Sequence, residues 1–188
     1  MSHPSAFWDK HAEGYSRRPI ADEAAYEKKL TVTRRYFRPD MEVMEIGCGT
    51  GSTALLHAPH VKQLQAYDIS PNMIGIAKRK QQDAGIDNLE FIVSEIDDIN
   101  MAEASKDMVL ALSVLHLLKN RQEVIARVFR VLKPGGLFVT STVCLDDTIL
   151  YKSFKVIGPL GHMLGLLPIV KVISARQLVQ EISDAGFD

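Results

Sequence analysis

Two cysteines in 188 residues, a single tryptophan and no uninterrupted apolar stretch at the N-terminus set the first limits on this sequence. Cys48 lies inside a glycine-rich segment and Cys144 follows a strand-like run, so no disulfide framework and no metal-ligand spacing emerges. The opening Met-Ser-His-Pro-Ser-Ala-Phe-Trp-Asp-Lys has none of the apolar core of a secretory signal, and the expected location is cytoplasmic. An excess of charge of one sign is also missing. With 22 Lys and Arg against 23 Asp and Glu, the formal charge of −1 argues against a nucleic-acid partner held mainly by charge. Repeats and low-complexity segments are absent. Hydrophobic residues at 46% and charged residues at 24% are ordinary globular values, and the length predicts one domain over residues 1–188 with a sizeable core.

What is present is an alternation of short apolar runs with helix-like segments, the pattern of a doubly wound, mostly parallel α/β sheet. Strands are expected at 43–46, 63–67, 89–93, 108–112 and 137–142, each rich enough in apolar residues to be buried on both faces. Tyr26, Leu30, Thr33 and Phe37 recur on one helical face before the first strand, closed by Pro39-Asp40. Ser70 can cap a helix with Pro71 at its first position and Gly85 after its last turn. Residues 121–132 carry Val124, Val128 and Val131 at helical spacing and stop at Pro134-Gly135-Gly136. Ser174 and Gln177 have the spacing of a capping box, with Gly186 placed to close the helix that follows.

The chemistry is concentrated in Val-Met-Glu-Ile-Gly-Cys-Gly-Thr-Gly, residues 43–51, and in Asp68, at the end of the second apolar run. Glycines let a strand bend sharply into a helix, and leave backbone N–H groups open to a ligand at the helix's positive end. A carboxylate ending the next strand suits the paired hydroxyls of a ribose. A dinucleotide fingerprint carries its third glycine at the sixth position, where this chain has Ser52; its third glycine, Gly51, is at the fifth. That register counts against a nicotinamide-dependent oxidoreductase. The missing Lys-Ser or Lys-Thr excludes a nucleoside-triphosphate P-loop. Glu45, two residues before Gly47, can receive a cationic amino group.

These residues match the Glu/Asp-x-Gly-x-Gly-x-Gly motif at every fixed position, and the chain resembles the class I S-adenosylmethionine-dependent methyltransferases of the small-molecule type. The resemblance runs from about Phe7 to the last residue. It implies a Rossmann-like methyltransferase fold, S-adenosyl-L-methionine as cofactor and S-adenosyl-L-homocysteine as product. It assigns the turn Gly47, Cys48, Gly49 and Gly51 to the cofactor, Asp68 to the ribose, and Ile69 and Met73 to the adenine. Glu45 and Leu112 join the same set. Tyr15, at the end of a Phe-Trp-Asp-Lys helix, is expected to close over the cofactor or to pack that helix. Glu95 and Ile96 stand where the family has Asp and a small residue; Glu is one methylene longer, so an indirect adenine contact is expected, with a solvated loop acid as the alternative. An Asn/Asp-Pro-Pro-aromatic motif of nucleic-acid amino methyltransferases is absent after the fourth strand.

His116 follows that strand and is a candidate base for a hydroxyl or thiol acceptor, or a structural histidine beside the cofactor. The family's final hairpin is not visible, so the fifth strand is expected to be an open edge. Residues 1–38 are expected to form a helical cap. Residues 145–173 occupy the place of a substrate lid, and their strongly apolar part, 154–173, is interrupted by Gly158, Pro159, Gly161, Gly165 and Pro168. Such a lid predicts an apolar or aromatic small-molecule acceptor, or weak contact with a membrane surface where one resides. Packing against the sheet or a partner chain stands beside that reading. So does a non-catalytic, cofactor-binding partner subunit.

Overall fold

The structure is a computed structural model that describes residues 4–99, 102–142, 144 and 173–188. Five parallel strands run β1 (Glu42–Ile46), β2 (Gln63–Asp68), β3 (Leu89–Val93), β4 (Lys106–Leu112) and β5 (Leu132–Ser141). Their order in the sheet is β3-β2-β1-β4-β5. The chain therefore winds outward from β1 in one direction and from β4 in the other. Ligands of such sheets sit outside the carboxyl ends of the strands where the winding reverses.

Alternation along the strands divides the core in two. Val43, Leu64, Ala66, Phe91, Met108 and Leu110 face one side, under α3 (Ser52–His57) and α4 (Pro71–Ala84). Met44, Ile46, Val109 and Ala111 face the other, under α5 (Arg121–Val131) and α6 (Ala175–Asp184). The helix ends follow the local chemistry. Ser70 Oγ accepts from the Met73 N–H at 3.1 Å, and Gly85 closes α4 in the left-handed region at φ 61°. At α6, Ser174 accepts from the Gln177 N–H, but the Gln177 side chain turns away to donate to Glu181 at 3.0 Å, leaving half a capping box. Gly186 (φ 102°) donates to Ser183 O and Phe187 to Ile182 O, a Schellman closure that packs Phe187 edge-on to Phe129 and tilted against Phe138.

Strand β5 differs from expectation. Its ladder begins at Leu132, opposite Lys106, and resumes at Leu137, opposite Met108, so Lys133, Pro134, Gly135 and Gly136 bulge out within the strand. Gly135 supplies the left-handed residue at φ 75°, and Lys133 Nζ is anchored on Asp107 at 2.8 Å. The Pro-Gly-Gly segment is therefore a bulge as well as a helix stop. Among the described residues β5 is a sheet edge, exposed at Pro134 and Gly135 and half-buried from Gly136 to Ser141.

Ahead of the sheet, α1 (Ala6–Ser16) lies across α4 and α2 (Glu23–Arg34) packs Leu30 and Thr33 inward. Asp9 accepts from Ser70 Oγ at 2.6 Å and from the Asn72 N–H at 3.2 Å, sewing α1 to the first turn of α4. Of the region expected to form a lid, only Ile173 is described; residues 154–172 lie outside the described residues. No helix among the described residues is long and apolar enough to cross a membrane.

Candidate cofactor-binding site

The glycine turn is held from behind by one carbonyl. Tyr67 O, at the end of β2, accepts from both Gly47 N–H (2.8 Å) and Cys48 N–H (3.0 Å). All three glycines have positive φ, at 70°, 56° and 74°, but their surroundings separate them. A Cβ at Gly47 would lie 2.5 Å from Val114, and one at Gly51 would lie 2.5 Å from Phe91 and 2.8 Å from Ala77. At Gly49 the same atom would meet nothing closer than the Tyr15 ring, 3.9 Å away. Gly47 and Gly51 are demanded by packing. Gly49 opens onto a space roofed by Tyr15.

Asp68 borders that space. One of its oxygens accepts from Gly49 N–H and the other from Ser70 N–H, both at 2.9 Å. Each oxygen retains a lone pair for a further donor. Burial pushes the Asp68 carboxyl above its ordinary range, while the Ser70, Gly49 and Ile69 N–H groups pull it back and the Asp9 charge adds to the rise. Tyr15 is 49% exposed, and its hydroxyl is pushed up by desolvation and by the Asp68 charge.

Glu45 is 2% exposed, and its Oε2 has no hydrogen-bond partner among the described residues. Burial raises its pKa to about 7, with the Lys29 charge opposing and the Asp68 charge adding. A buried carboxylate oxygen without a partner is costly unless a donor arrives. An ammonium group would be that donor. Cys48, beside it, is 9% exposed, and burial drives its thiol well above the usual range, which keeps it protonated and inert.

Across the winding reversal, β4 ends at Leu112, which is 7% exposed, and Ser113 follows at φ 60°. A non-glycine residue there costs of order 1–3 kcal/mol. The turn is held by Ser113 N–H donating to Ser141 O at 2.7 Å. It seats Val114 against Gly47 and sets His116 in a short 3-10 turn, half-buried, with Nδ1 2.9 Å from Thr142 Oγ1. Desolvation lowers the His116 pKa, so the ring is neutral near pH 7.

Beyond β2, Ile69 is half-buried beside Asp68. Met73 is 2% exposed and packs with Ala12, Ile76 and Trp8 between α4 and α1. Ser94 N–H donates to Asp68 O at 3.0 Å, which brings the half-buried Glu95 and Ile96 to the β3 side of Asp68.

The glycine turn, Asp68 and the start of the Glu95 loop thus stand at the carboxyl ends of β1, β2 and β3 with Tyr15 beside Gly49, and His116 with Thr142 at the ends of β4 and β5, the crevice side of a sheet wound in this way. Sequence reasoning missed Val114, Lys29 and Thr142, because only the folded chain brings them to Gly47, Glu45 and His116. It also passed over His57, fully buried against Phe37, with neither ring nitrogen partnered among the described residues and its pKa pulled to about 4 by burial.

A family model described as "Methyltransferase domain" matches residues 44–140, just over half of the chain. The chain belongs to the methyltransferase-domain family. A malonyl-[acyl-carrier protein] O-methyltransferase of Serratia marcescens is 22% identical over 187 residues, covering 94% of this chain and 71% of that protein. A demethylmenaquinone methyltransferase of Symbiobacterium thermophilum is 25% identical over 170 residues, covering 87% and 66%. Among solved structures, the phosphoethanolamine N-methyltransferase 2 of Haemonchus contortus, crystallised with S-adenosylhomocysteine, superposes with a TM-score of 0.82 at 18% identity. It covers all of this chain and 45% of its own. The chain spans between about half and seven tenths of the length of the first three curated relatives it matches.

The family's cofactor is S-adenosylmethionine, and the residues fit it. The unpartnered Glu45 oxygen could accept from an ammonium group, Gly49 leaves room for a ligand against backbone, and Asp68 has lone pairs for hydroxyl donors. Metal-ligand clusters are absent among the described residues.

Proposed function

We propose that this protein transfers a methyl group from S-adenosylmethionine to a small, apolar or aromatic acceptor. The observation that carries the donor half is Glu45, buried with an unpartnered oxygen two residues before the glycine turn. When bound, the cofactor supplies a methyl group on a sulfonium, already an activated leaving group. The residues of this chain then have three tasks. Glu45 and Asp68 fix the two polar ends of the donor, Tyr15 roofs it, and the rigid Leu112–His116 turn borders the acceptor. Holding reactants in line in this way contributes roughly 7–11 kcal/mol in favourable models.

His116 is the base this reading assigns for a hydroxyl or thiol acceptor. In the neutral tautomer that carries its proton on Nδ1, the ring donates to Thr142 Oγ1 and keeps the Nε2 lone pair for the acceptor's proton. Support for an apolar acceptor comes from the composition of residues 154–173 and from a relative named for demethylmenaquinone. The relatives also include one named for malonyl-[acyl-carrier protein]. Turnover of methyl-labelled cofactor over phenols, quinols, acyl thioesters and phosphoethanolamine tests the proposal. Transfer to the apolar and aromatic members is expected. Transfer confined to phosphoethanolamine would overturn the acceptor class, and binding of the cofactor without transfer to any member would overturn the activity.

A further inference from the structure

The strand order sets the ends of β1, β2 and β3 side by side at the crevice, carrying the glycine turn, Asp68 and residues 94–99 respectively. A donor with its amino-acid end at Glu45 and its ribose on Asp68 has one direction left for its base, over the end of β3. Within the 94–99 segment Ser94 Oγ donates to Glu95 O at 2.9 Å and Asp98 N–H donates to Glu95 O at 3.1 Å, and the short turn Ile96–Asp98 contains no buried residue.

Its far side is gripped from another element. Arg127, in the middle of α5, donates from Nη1 to Ile96 O at 2.9 Å and from Nη2 to Ile99 O at 2.8 Å, with Asp97 a further 3.7 Å contact. The Arg127 side chain is 23% exposed and Ile99 is 4% exposed, so this contact is largely withdrawn from water. A planar guanidinium serves two carbonyls at once; an ammonium on a flexible stem does not hold two in a fixed relation. Helix α5 would form without this residue's reach, since its inward face is Val124, Ile125, Val128 and Val131. The grip serves the loop.

We infer that Arg127 is a positioning residue for the adenine of the cofactor. By fixing the Ile96 and Ile99 carbonyls it sets the backbone at Glu95–Ile96 and holds the Glu95 carboxylate at the edge of the base, controlling base selectivity as well as affinity. This rests on the crevice being the S-adenosylmethionine site.

The test compares S-adenosylhomocysteine with its inosine counterpart, in which an oxo group replaces the exocyclic amine, by calorimetry on the full chain. The unaltered protein is expected to prefer the adenine form by about tenfold or more, since a bond to a charged acceptor is lost with the amine. Arg127→Ala should weaken the adenine form about tenfold and the inosine form little, so the preference collapses; Arg127→Lys should fall between. If Arg127→Ala does not fold, Arg127→Lys carries the test, with faster amide exchange at 95–99 and a reduced preference expected. Equal weakening of both ligands would mark Arg127 as merely structural and overturn the inference. So would an unchanged preference in a folded variant. Failure of the unaltered protein to bind S-adenosylhomocysteine would instead remove the reading beneath it.

Discussion

Asp68 and Gly49 are joined by a 2.9 Å hydrogen bond from the glycine N–H to the carboxylate, so the residue expected to hold the ribose also braces the turn that holds the rest of the ligand. Asp68→Ala should therefore act twice. Losing charge-assisted bonds worth ~1.5–3 kcal/mol each should lower affinity for S-adenosylhomocysteine at least tenfold. Asp68→Asn keeps a carbonyl oxygen for one brace and should fall between. Calorimetry on both variants, with thermal unfolding as the control, checks the order.

Glu45 predicts a pH dependence of definite sign. Its pKa in the folded protein is about 7, above the ordinary 4.5. A raised carboxyl pKa means that stability is fully present below about pH 4.5 and is lost as pH rises through about 7. Glu45→Gln should thus make the ligand-free protein more stable at pH 8, by of order 3 kcal/mol from the size of the shift. Affinity for S-adenosylhomocysteine should rise between about pH 6 and 8 in the unaltered protein and stay flat in Glu45→Gln. Calorimetry in buffers of different ionisation enthalpy should also detect proton release below pH 7. A pH-independent affinity in the unaltered protein would remove Glu45 as the ammonium's partner.

At His116 the expected signature is kinetic. His116→Ala should lower turnover ~10²-fold or more with cofactor affinity nearly constant. Because desolvation lowers the pKa, the rising limb of turnover against pH should lie below the ordinary histidine value of 6.5. Thr142→Val should disturb that limb, and Thr142→Ser restore it. Loss of cofactor binding in His116→Ala would assign the ring a structural role.

The helix α6 is tied to α5 by Arg121 and Glu181, which meet through Nε–Oε2 at 2.6 Å and Nη2–Oε1 at 2.9 Å, both buried. The Arg121 hydrogen bond pulls the Glu181 carboxyl below its ordinary value, so the stability it confers is present above that ordinary value and lost as pH falls through the depressed one. Glu181→Ala should cost ~3–5 kcal/mol, because Arg121 is left buried and unpaired; a paired apolar replacement should recover most of it. Denaturant unfolding of the single and double variants measures both.

The features legible in the sequence were those written locally. Ser70-Pro71 and Gly85 bracket α4 because capping depends on three or four neighbouring residues. The turn at Gly47, Gly49 and Gly51 was legible because left-handed backbone selects glycine whatever surrounds it. The reasons for each glycine were not, since Val114, just past β4, and Phe91, in β3, approach from 40 or more residues away. Arg127 reads as one more charge on an amphipathic helix until the 96–99 carbonyls are placed opposite it. The Pro134-Gly135-Gly136 stop concealed a bulge, because pairing of Leu132 with Lys106 is decided across the sheet. Met73 belongs with these: a methionine near a nucleoside motif is compatible with base contact and with core filling alike, and only the folded chain places Ala12 and Trp8 of α1 against it.

The seam between α1 and α4 has a mechanical consequence. Asp9 with Ser70 and Asn72, and Ala12 with Met73 and Ile76, fasten the first two turns of α1, and Glu13 adds only an exposed ion pair to Arg79. Tyr15 extends past the last of these fastenings, over Gly49. The helix is hung like a shutter along one edge, its aromatic latch at the free end. If the cofactor lies over Gly49, its entry is expected to displace this last helical turn and leave the sheet, the glycine turn and Asp68 in place, which amide exchange at residues 14–16 with and without S-adenosylhomocysteine checks.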